Sequence, residues 1–310
     1  MSKTVSNRFC TLESLERGDV LLGTATETSC YLLVECDEAW PSEVANLLSA
    51  SGLPDGLARA LKDFIAWCPE PVQPILVKQR SPGGPRRIYV IRSSLATGRR
   101  LFLDENVDGA CLALQAAYSD PAPMGDIALV CTHGKRDKCC AKFGEPVYEQ
   151  LRAGLGDSFE VFQCSHVGGD RFAANVLWLP YGICLGHAHA GLPATIEKLR
   201  SRSIPLTKLR GSASLPSAAQ FLEGLWRSEL GLERPGGIEL VAYSETDIDG
   251  KLFCSVVLKD RFDDRRVEGY VSIHRSTSMV LASCNKSGSA FPRVFELIGE
   301  QAYREMVNPA

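Results

Sequence analysis

The sequence predicts a mixed α/β fold (α+β overall), and its middle third gives the clearest pattern. Two short apolar runs, at residues 127–131 and 159–162, flank a helical pattern over 144–152. Two further β-rich runs and one helix follow, at residues 176–180, 182–186 and 193–202. The order β-α-β and then β-β-α is that of a thioredoxin-like domain, a small sheet with helices on both faces.

The flanking regions have different patterns. Before the central domain, strand-like runs at 31–34, 74–78, 87–92 and 100–103 and helical spacing at 42–51 and 57–67 are predicted. Turn residues separate the β-rich runs. After it come a linker that contains Ser, Gly and Pro (203–215) and an amphipathic helix (218–229). Four runs of alternating hydrophobicity (238–243, 252–258, 267–274 and 279–283) and a last helix (292–306) follow. We therefore predict an N-terminal α/β region (1–122), a thioredoxin-like domain (123–212) and a C-terminal β-rich region with a terminal helix (213–310).

The composition is that of an ordinary globular protein. Hydrophobic residues make up 45% and charged residues 23% of 310 residues, with a formal net charge of -3. This charge gives no reason to expect nucleic acid or an acidic membrane surface as a partner. The first ten residues lack the apolar core of a secretory signal, and no run approaches about 18 uncharged apolar residues. We expect a cytoplasmic protein that does not enter a membrane.

Twelve cysteines need an explanation in such a compartment, because the cytosol keeps most thiols reduced. Cys30, Cys36 and Cys254 lie within apolar or alternating runs, where a buried cysteine packs as a small hydrophobe. The remaining signal is a local concentration of thiols and imidazoles, formed by Cys131, His133, Cys139, Cys140, Cys164 and His166.

These residues lie in two loops that follow neighbouring strands. The first loop reads CTHGKRDKCC from Cys131 to Cys140, and its lysines and arginine favour the thiolate, the form that binds metal. The second loop begins at Cys164 and includes His166. Because the ends of parallel strands lie side by side, we expect Cys131, Cys140, Cys164 and His166 to converge. The sequence therefore predicts a metal centre.

Several other chemistries fit the loops less well. A tyrosine-phosphatase loop needs five residues between its cysteine and arginine, whereas Cys131 and Arg136 have four between them. The Cys-x-x-Cys spacing of a thioredoxin redox pair is absent. A zinc site remains an alternative, although the Cys-x8-Cys spacing is long for one. An iron–sulfur cluster accepts wider spacing, because its ligands reach two irons.

The motifs CTHGKRDKCC and SHVGGDRFAAN resemble those of the sucrase/ferredoxin-like family, whose middle part is a thioredoxin-like [2Fe–2S] ferredoxin. The resemblance implies that Cys131 and Cys140 bind one iron and that His166 binds the other. The family's second histidine is replaced by Asp170. Either Asp170 or Cys164 is then the fourth ligand, and Cys164 is favoured if the strand continues to His166, because residues 164 and 166 would share a face.

The favoured function is a one-electron [2Fe–2S] carrier that accepts electrons from a reductase and passes them to an unknown acceptor. No Gly-x-Gly-x-x-Gly follows a strand, so we expect no nicotinamide or flavin site. The alternatives are a zinc-binding or metal-free binding protein and a thiol oxidoreductase. Arg136 and Arg171 either contact a redox partner or an anion, or form ion pairs with neighbouring aspartates. His187 and His189 are more often surface or helix-start residues than ligands.

Overall fold

A computed structural model of the chain describes residues 9–43, 48–49, 52–78, 86–103, 109–284 and 289–307. The largest element within these residues is a nine-stranded mixed sheet. Its strands are β1 (Cys30–Glu35), β2 (Val72–Val77), β3 (Arg86–Arg92), β4 (Thr97–Leu103), β5 (Asp126–Cys131), β6 (Phe159–Cys164), β7 (Val176–Leu179), β8 (Ile183–Leu185) and β9 (Leu209–Ser212). Their order across the sheet is β4-β3-β1-β2-β6-β5-β7-β8-β9.

Helices pack on this sheet and on a second, smaller one. They are α1 (Cys10–Arg17), α2 (Asp55–Trp67), α3 (Ala110–Ser119), α4 (Lys138–Leu155), α5 (Leu192–Arg200), α6 (Ser217–Leu230) and α7 (Glu300–Val307). Helices α2 and α3 share a buried cluster with β1 and β3, and α4 and α5 share one with β5 and β7. The mixed α/β prediction is confirmed.

The middle of the chain has the predicted element order. Strands β5 and β6 are parallel, β7 runs antiparallel to β5, and β8 runs antiparallel to β7. Alternate residues face opposite sides of the sheet, so that Leu129 and Cys131 join one buried cluster while Ala128 and Val130 join another. The parallel pairing places Cys131 directly beside Cys164 at the ends of their strands.

The N-terminal strands extend this sheet without a break. Strand β2 pairs with β6 at Val77 and Cys164, the position from which the second site loop departs. The backbone N–H of Ser165 donates to Leu76 over 2.8 Å, and the N–H of Leu76 donates to the Ser165 hydroxyl over 3.0 Å. The N-terminal region thus contacts the candidate site directly, while the division into three regions stays a prediction.

The C-terminal region consists of an antiparallel sheet against α6. Phe221, Leu222 and Trp226 of α6 pack on Val256 and Val271 of this sheet. Its strands, in spatial order, are β10 (Ile238–Ile248), β11 (Lys251–Asp260), β12 (Arg266–Arg275) and β15 (Arg293–Ile298), and a separate short pair is formed by β13 (Val280–Leu281) and β14 (Ser289–Ala290).

The structure corrects the sequence prediction at several elements. The predicted linker 203–215 contains β9, which pairs with β8. The predicted last helix over 292–306 is β15 followed by α7, because residues 293–298 pair with β12 and Gly299 separates the two elements. The helix predicted over 42–51 falls largely outside the described residues. Helix α1 had no counterpart among the predicted elements.

Gly144 sets how closely α4 approaches β5. A Cβ added at Gly144 would overlap the carbonyl oxygen of Cys131, the last residue of β5. We expect Gly144→Ala to lower the free energy of unfolding by about 1–3 kcal/mol, although alanine is the better helix former by about 1 kcal/mol, because the helix must move off the sheet. Urea unfolding followed by circular dichroism measures the change.

Gly125→Ala is the matched control, since a Cβ there meets no atom within 4 Å and the residue has no positive φ. Its stability should equal that of the unsubstituted protein. Equal stability of the Gly144→Ala protein would show that close approach of α4 to β5 is not required.

Candidate metal centre

Two cysteines and a histidine converge at the ends of β5 and β6. Cys131 is the last residue of β5, Cys140 lies in the first turn of α4, and His166 lies in the loop after β6. One ligand atom from each side chain lies within 4.8 Å of the others. Their exposed fractions are 1%, 0% and 9%, so the group is shielded from solvent. Of the four residues expected to converge, these three do so, and Cys164 lies outside the group.

The start of α4 is fixed by Asp137, whose carboxylate accepts a hydrogen bond from the backbone N–H of Cys139 over 2.7 Å. This N-cap satisfies one of the free N–H groups of the first helical turn. The partial positive charge at a helix N-terminus also favours thiolates over thiols. At Cys140 this effect is outweighed by the neighbouring Cys131 and by burial, which raise the pKa of the thiol.

The thiols of Cys131 and Cys140 affect each other's protonation. The neighbouring Cys140 thiol, together with His166, holds the pKa of Cys131 well below its ordinary value. The Cys131 neighbour and burial raise the pKa of Cys140. A thiolate at Cys131 thus keeps the proton on Cys140. Metal ligation requires both thiols to lose their protons, so a cation at this point would take the place of that proton.

His166 has an unused ring nitrogen. Its Nδ1 is buried and has no hydrogen-bond partner in the described part of the chain, although Oδ1 of Asp170 lies 3.3 Å away without hydrogen-bond geometry. An orphaned buried polar atom is costly, and ligation of a metal would satisfy it. With two adjacent thiols, this donor set fits a metal group that accepts sulfur and nitrogen ligands.

His133 supports the loop that carries His166. Its Nδ1 accepts the backbone N–H of His166 over 3.2 Å, and its ring packs edge-on against Trp40 at a centroid distance of 5.6 Å. Burial lowers the pKa of His133, which favours the neutral ring that accepts this hydrogen bond. His133 thus positions His166 and lies outside the converging group.

The two candidates for the fourth ligand are placed differently. Asp170 lies 3.3 Å from the ring of His166 and 4.0 Å from the sulfur of Cys140. Cys164 is fully buried beside Cys131, and the chain bends after it, so strand alternation does not carry to His166. The premise that favoured Cys164 is therefore not met, and neither residue belongs to the group within 4.8 Å.

Arg210 of β9 is a buried residue that the sequence prediction missed. Its guanidinium donates to the carbonyl of Gly168 over 3.1 Å, to Oδ1 of Asn175 over 2.9 Å and to Oγ1 of Thr24 over 3.1 Å. It also contacts the carbonyl of Thr24. Gly169 lies so close that a Cβ there would be 2.5 Å from the guanidinium. Arg210 thus fixes the Gly-Gly bend between His166 and Asp170.

The remaining predicted residues lie around the site. Arg171 lies 3.6 Å from Asp19, so its ion pair is with α1's C-terminal turn and not with Asp170, and Arg136 is half-buried in the first loop. His187 is buried, and its ring nitrogens lie 3.1 Å from the Thr11 hydroxyl and 3.4 Å from the Ser14 hydroxyl. His189 Nδ1 accepts the backbone N–H of Ala174 over 3.2 Å.

A second group of thiols lies on the other side of the α4 start. Cys10, Cys139 and Cys284, with the carboxylate of Asp137, have ligand atoms within 4.8 Å of one another. We call these four residues the second thiol cluster. In the sequence, the adjacency of Cys139 and Cys140 was the signal for a second group, because the side chains of consecutive helical residues point about 100° apart. Cys10 and Cys284 carried no local signal.

The comparisons with known proteins place the chain in one family. The sequence profile of sucrase/ferredoxin-like proteins matches residues 21–204, more than half of the 310 residues. The chain belongs to the sucrase/ferredoxin-like family. No curated protein and no solved structure matches it. The family match covers Cys131, Cys140, His166 and Asp170, whereas Cys10 and Cys284 lie outside it.

This member of the family has no helix, among the residues that the structure describes, of the length and apolar character that crossing a membrane requires.

We expect Arg210→Met to weaken the candidate site without removing a ligand. Several buried acceptors would lose their donor, at a cost of at least about 3 kcal/mol in unfolding free energy, and the Gly168-Gly169 bend would lose its support. Bound metal per folded chain, measured by elemental analysis after gel filtration, should fall together with the melting temperature.

Arg200→Met is the control, because Arg200 is exposed and, within the described residues, donates to a single acceptor, the carbonyl of Gly154, at 3.1 and 2.7 Å. It should leave metal content unchanged. Full metal content in the Arg210→Met protein would mean that the bend holds without Arg210.

Proposed function

We propose that this protein is a one-electron carrier with a [2Fe–2S] cluster, in which Cys131 and Cys140 bind one iron and His166 and Asp170 bind the other. The observation that supports this most is that the four donors form two pairs. The sulfurs of Cys131 and Cys140 lie within 4.8 Å of each other, and the ring of His166 lies 3.3 Å from Asp170. Two irons each need such a pair.

Family membership is the second support, since the matched range contains all four proposed ligands. Such a cluster supplies reversible one-electron transfer. The chain's own residues would exclude water from the thiolate side, where Cys131 and Cys140 are 1% and 0% exposed. His166, at 9%, and Asp170, at 7%, lie nearer the surface. We infer that a reductase and an acceptor protein approach this side.

The reducing cytoplasm, in which thiols stay free, is the compartment that this proposal assumes. None of the described cysteines is in a disulfide, which agrees with it.

A single zinc ion is the second candidate, and the compactness of the site favours it. Ligand atoms of Cys131, Cys140 and His166 within 4.8 Å of one another also suit one tetrahedral ion. Such a site would be structural, with Asp170 as its fourth ligand.

Anaerobic purification separates the two candidates. We expect a red-brown protein with iron and acid-labile sulfide in equal amounts, and a rhombic electron paramagnetic resonance signal after reduction. Cys131→Ser should abolish the colour and the signal, because an alcohol is a poor ligand for iron in a sulfide-bridged cluster. A colourless protein with zinc at this site and no sulfide would establish the second candidate instead.

Two further variants identify the fourth ligand. We expect Asp170→Ala to lose most of the cluster, while Cys164→Ser keeps it. Asp170→His should retain the cluster and raise its reduction potential, because a neutral imidazole replaces an anionic carboxylate. A redox titration should place the unsubstituted protein between about -400 mV, typical of plant-type ferredoxins, and the about -150 to +300 mV of two-histidine centres. Cluster loss in Cys164→Ser, with retention in Asp170→Ala, would assign Cys164.

A further inference from the structure

The second thiol cluster joins three distant parts of the chain. The sulfurs of Cys10 and Cys139 lie 3.5 Å apart, and those of Cys139 and Cys284 lie 3.3 Å apart. Cys10 is the first residue of α1, Cys139 lies in the first turn of α4, and Cys284 follows β13. Cys10 and Cys139 are fully buried, and Cys284 is half-buried.

Asp137 holds two of the three cysteines in place. One carboxylate oxygen accepts the backbone N–H of Cys139 over 2.7 Å. The other accepts the backbone N–H of Cys284 and the hydroxyl of Ser283, each over 2.6 Å. The backbone N–H of Cys10 contacts the sulfur of Cys284 at 3.1 Å. The cluster is therefore organised by specific hydrogen bonds and does not arise from chance proximity of thiols on a surface.

The spacing of the donors suits a single tetrahedral ion. Tetrahedral zinc with Zn–S distances of about 2.3 Å places its sulfurs about 3.8 Å apart. The two sulfur separations of 3.5 and 3.3 Å are close to that value. Thiolate ligands select zinc over magnesium or calcium, which prefer oxygen. A carboxylate oxygen is an accepted fourth zinc ligand.

The geometry points to a structural zinc site formed by Cys10, Cys139 and Cys284 with Asp137 as the fourth ligand. The ion would join α1 and the segment after β13 to the first turn of α4. Because Cys139 precedes Cys140, the same ion would fix the turn that presents Cys140 to the first site. This site is separate from the one in the proposed function and shares none of its ligands.

Zinc analysis of the full-length protein, grown in medium containing both iron and zinc, tests the inference. We expect about one zinc ion per chain in addition to iron, with X-ray absorption at the zinc edge showing sulfur neighbours at about 2.3 Å. Cys10→Ser and Cys284→Ser should each lower zinc retention at least about tenfold, as removal of a ligand exceeds the effect of removing an outer-shell partner. Iron and sulfide should remain.

Matched controls exclude a general effect of removing a thiol. Cys254→Ser matches Cys10 in burial, and Cys111→Ser matches the half-buried Cys284, so both should keep zinc. Absence of zinc from the unsubstituted protein, or a disulfide between Cys10 and Cys139 after anaerobic purification, would overturn the inference. So would unchanged zinc in Cys284→Ser, since replacing the half-buried Cys284 disturbs folding less than replacing the fully buried Cys10.

The metal content of these variants distinguishes failure of one proposal from failure of both. Loss of iron in Cys10→Ser with retention in Cys131→Ser would place the iron at the second thiol cluster and contradict both assignments. Two zinc ions and no iron in the unsubstituted protein would contradict only the electron-carrier proposal. In that case Cys284→Ser should still lose one of the two zinc ions, as the zinc proposal expects.

Discussion

The carboxylate of Asp137 is the interaction on which both groups of thiols depend. It is fully buried, and burying a charge is costly unless hydrogen bonds compensate it. It accepts from the backbone of Cys139 on one side and from Ser283 and Cys284 on the other. The first contact begins α4, and the others hold a segment from the far end of the chain against it. One side chain thus determines where two consecutive cysteines point.

The sheet supplies the second constraint, because it couples the N-terminal region to the site. Strand β2 adjoins β6 at Cys164, and the Ser165 hydroxyl bonds to the backbone of Leu76. Trp40 then packs against His133, which in turn accepts the N–H of His166. Arg210 performs the same task from the other edge through Gly168 and Asn175. The loop that carries His166 is therefore held by strands that lie on opposite sides of β6 in the sheet.

Local patterns were enough to predict the parts of the fold that depend on neighbours in sequence. The apolar runs predicted β5 and β6, and their parallel order predicted that Cys131, Cys140 and His166 converge, although it also included Cys164, which lies outside the group. Elements that depend on distant partners were missed. Strand β9 reads Leu-Arg-Gly-Ser and forms because it pairs with β8 and buries its arginine. The residue pattern of β15 indicates a strand only once its pairing with β12 is known. Whether Cys164 or Asp170 faces His166 depended on where β6 ends, which periodicity locates only to within a few residues.

Helix geometry explains why the adjacent thiols of Cys139 and Cys140 lie in different groups. On a helix, consecutive side chains diverge by about 100°, so Cys139 and Cys140 cannot serve one compact site together. Cys140 faces Cys131, and Cys139 faces Cys10 and Cys284. The family match ends before Cys284 and begins after Cys10, so these partners come from parts of the chain that the family profile does not cover. An ion bound there would fix the first turn of α4 from outside the family's shared core, and Cys140 would gain its rigidity from residues more than one hundred positions away.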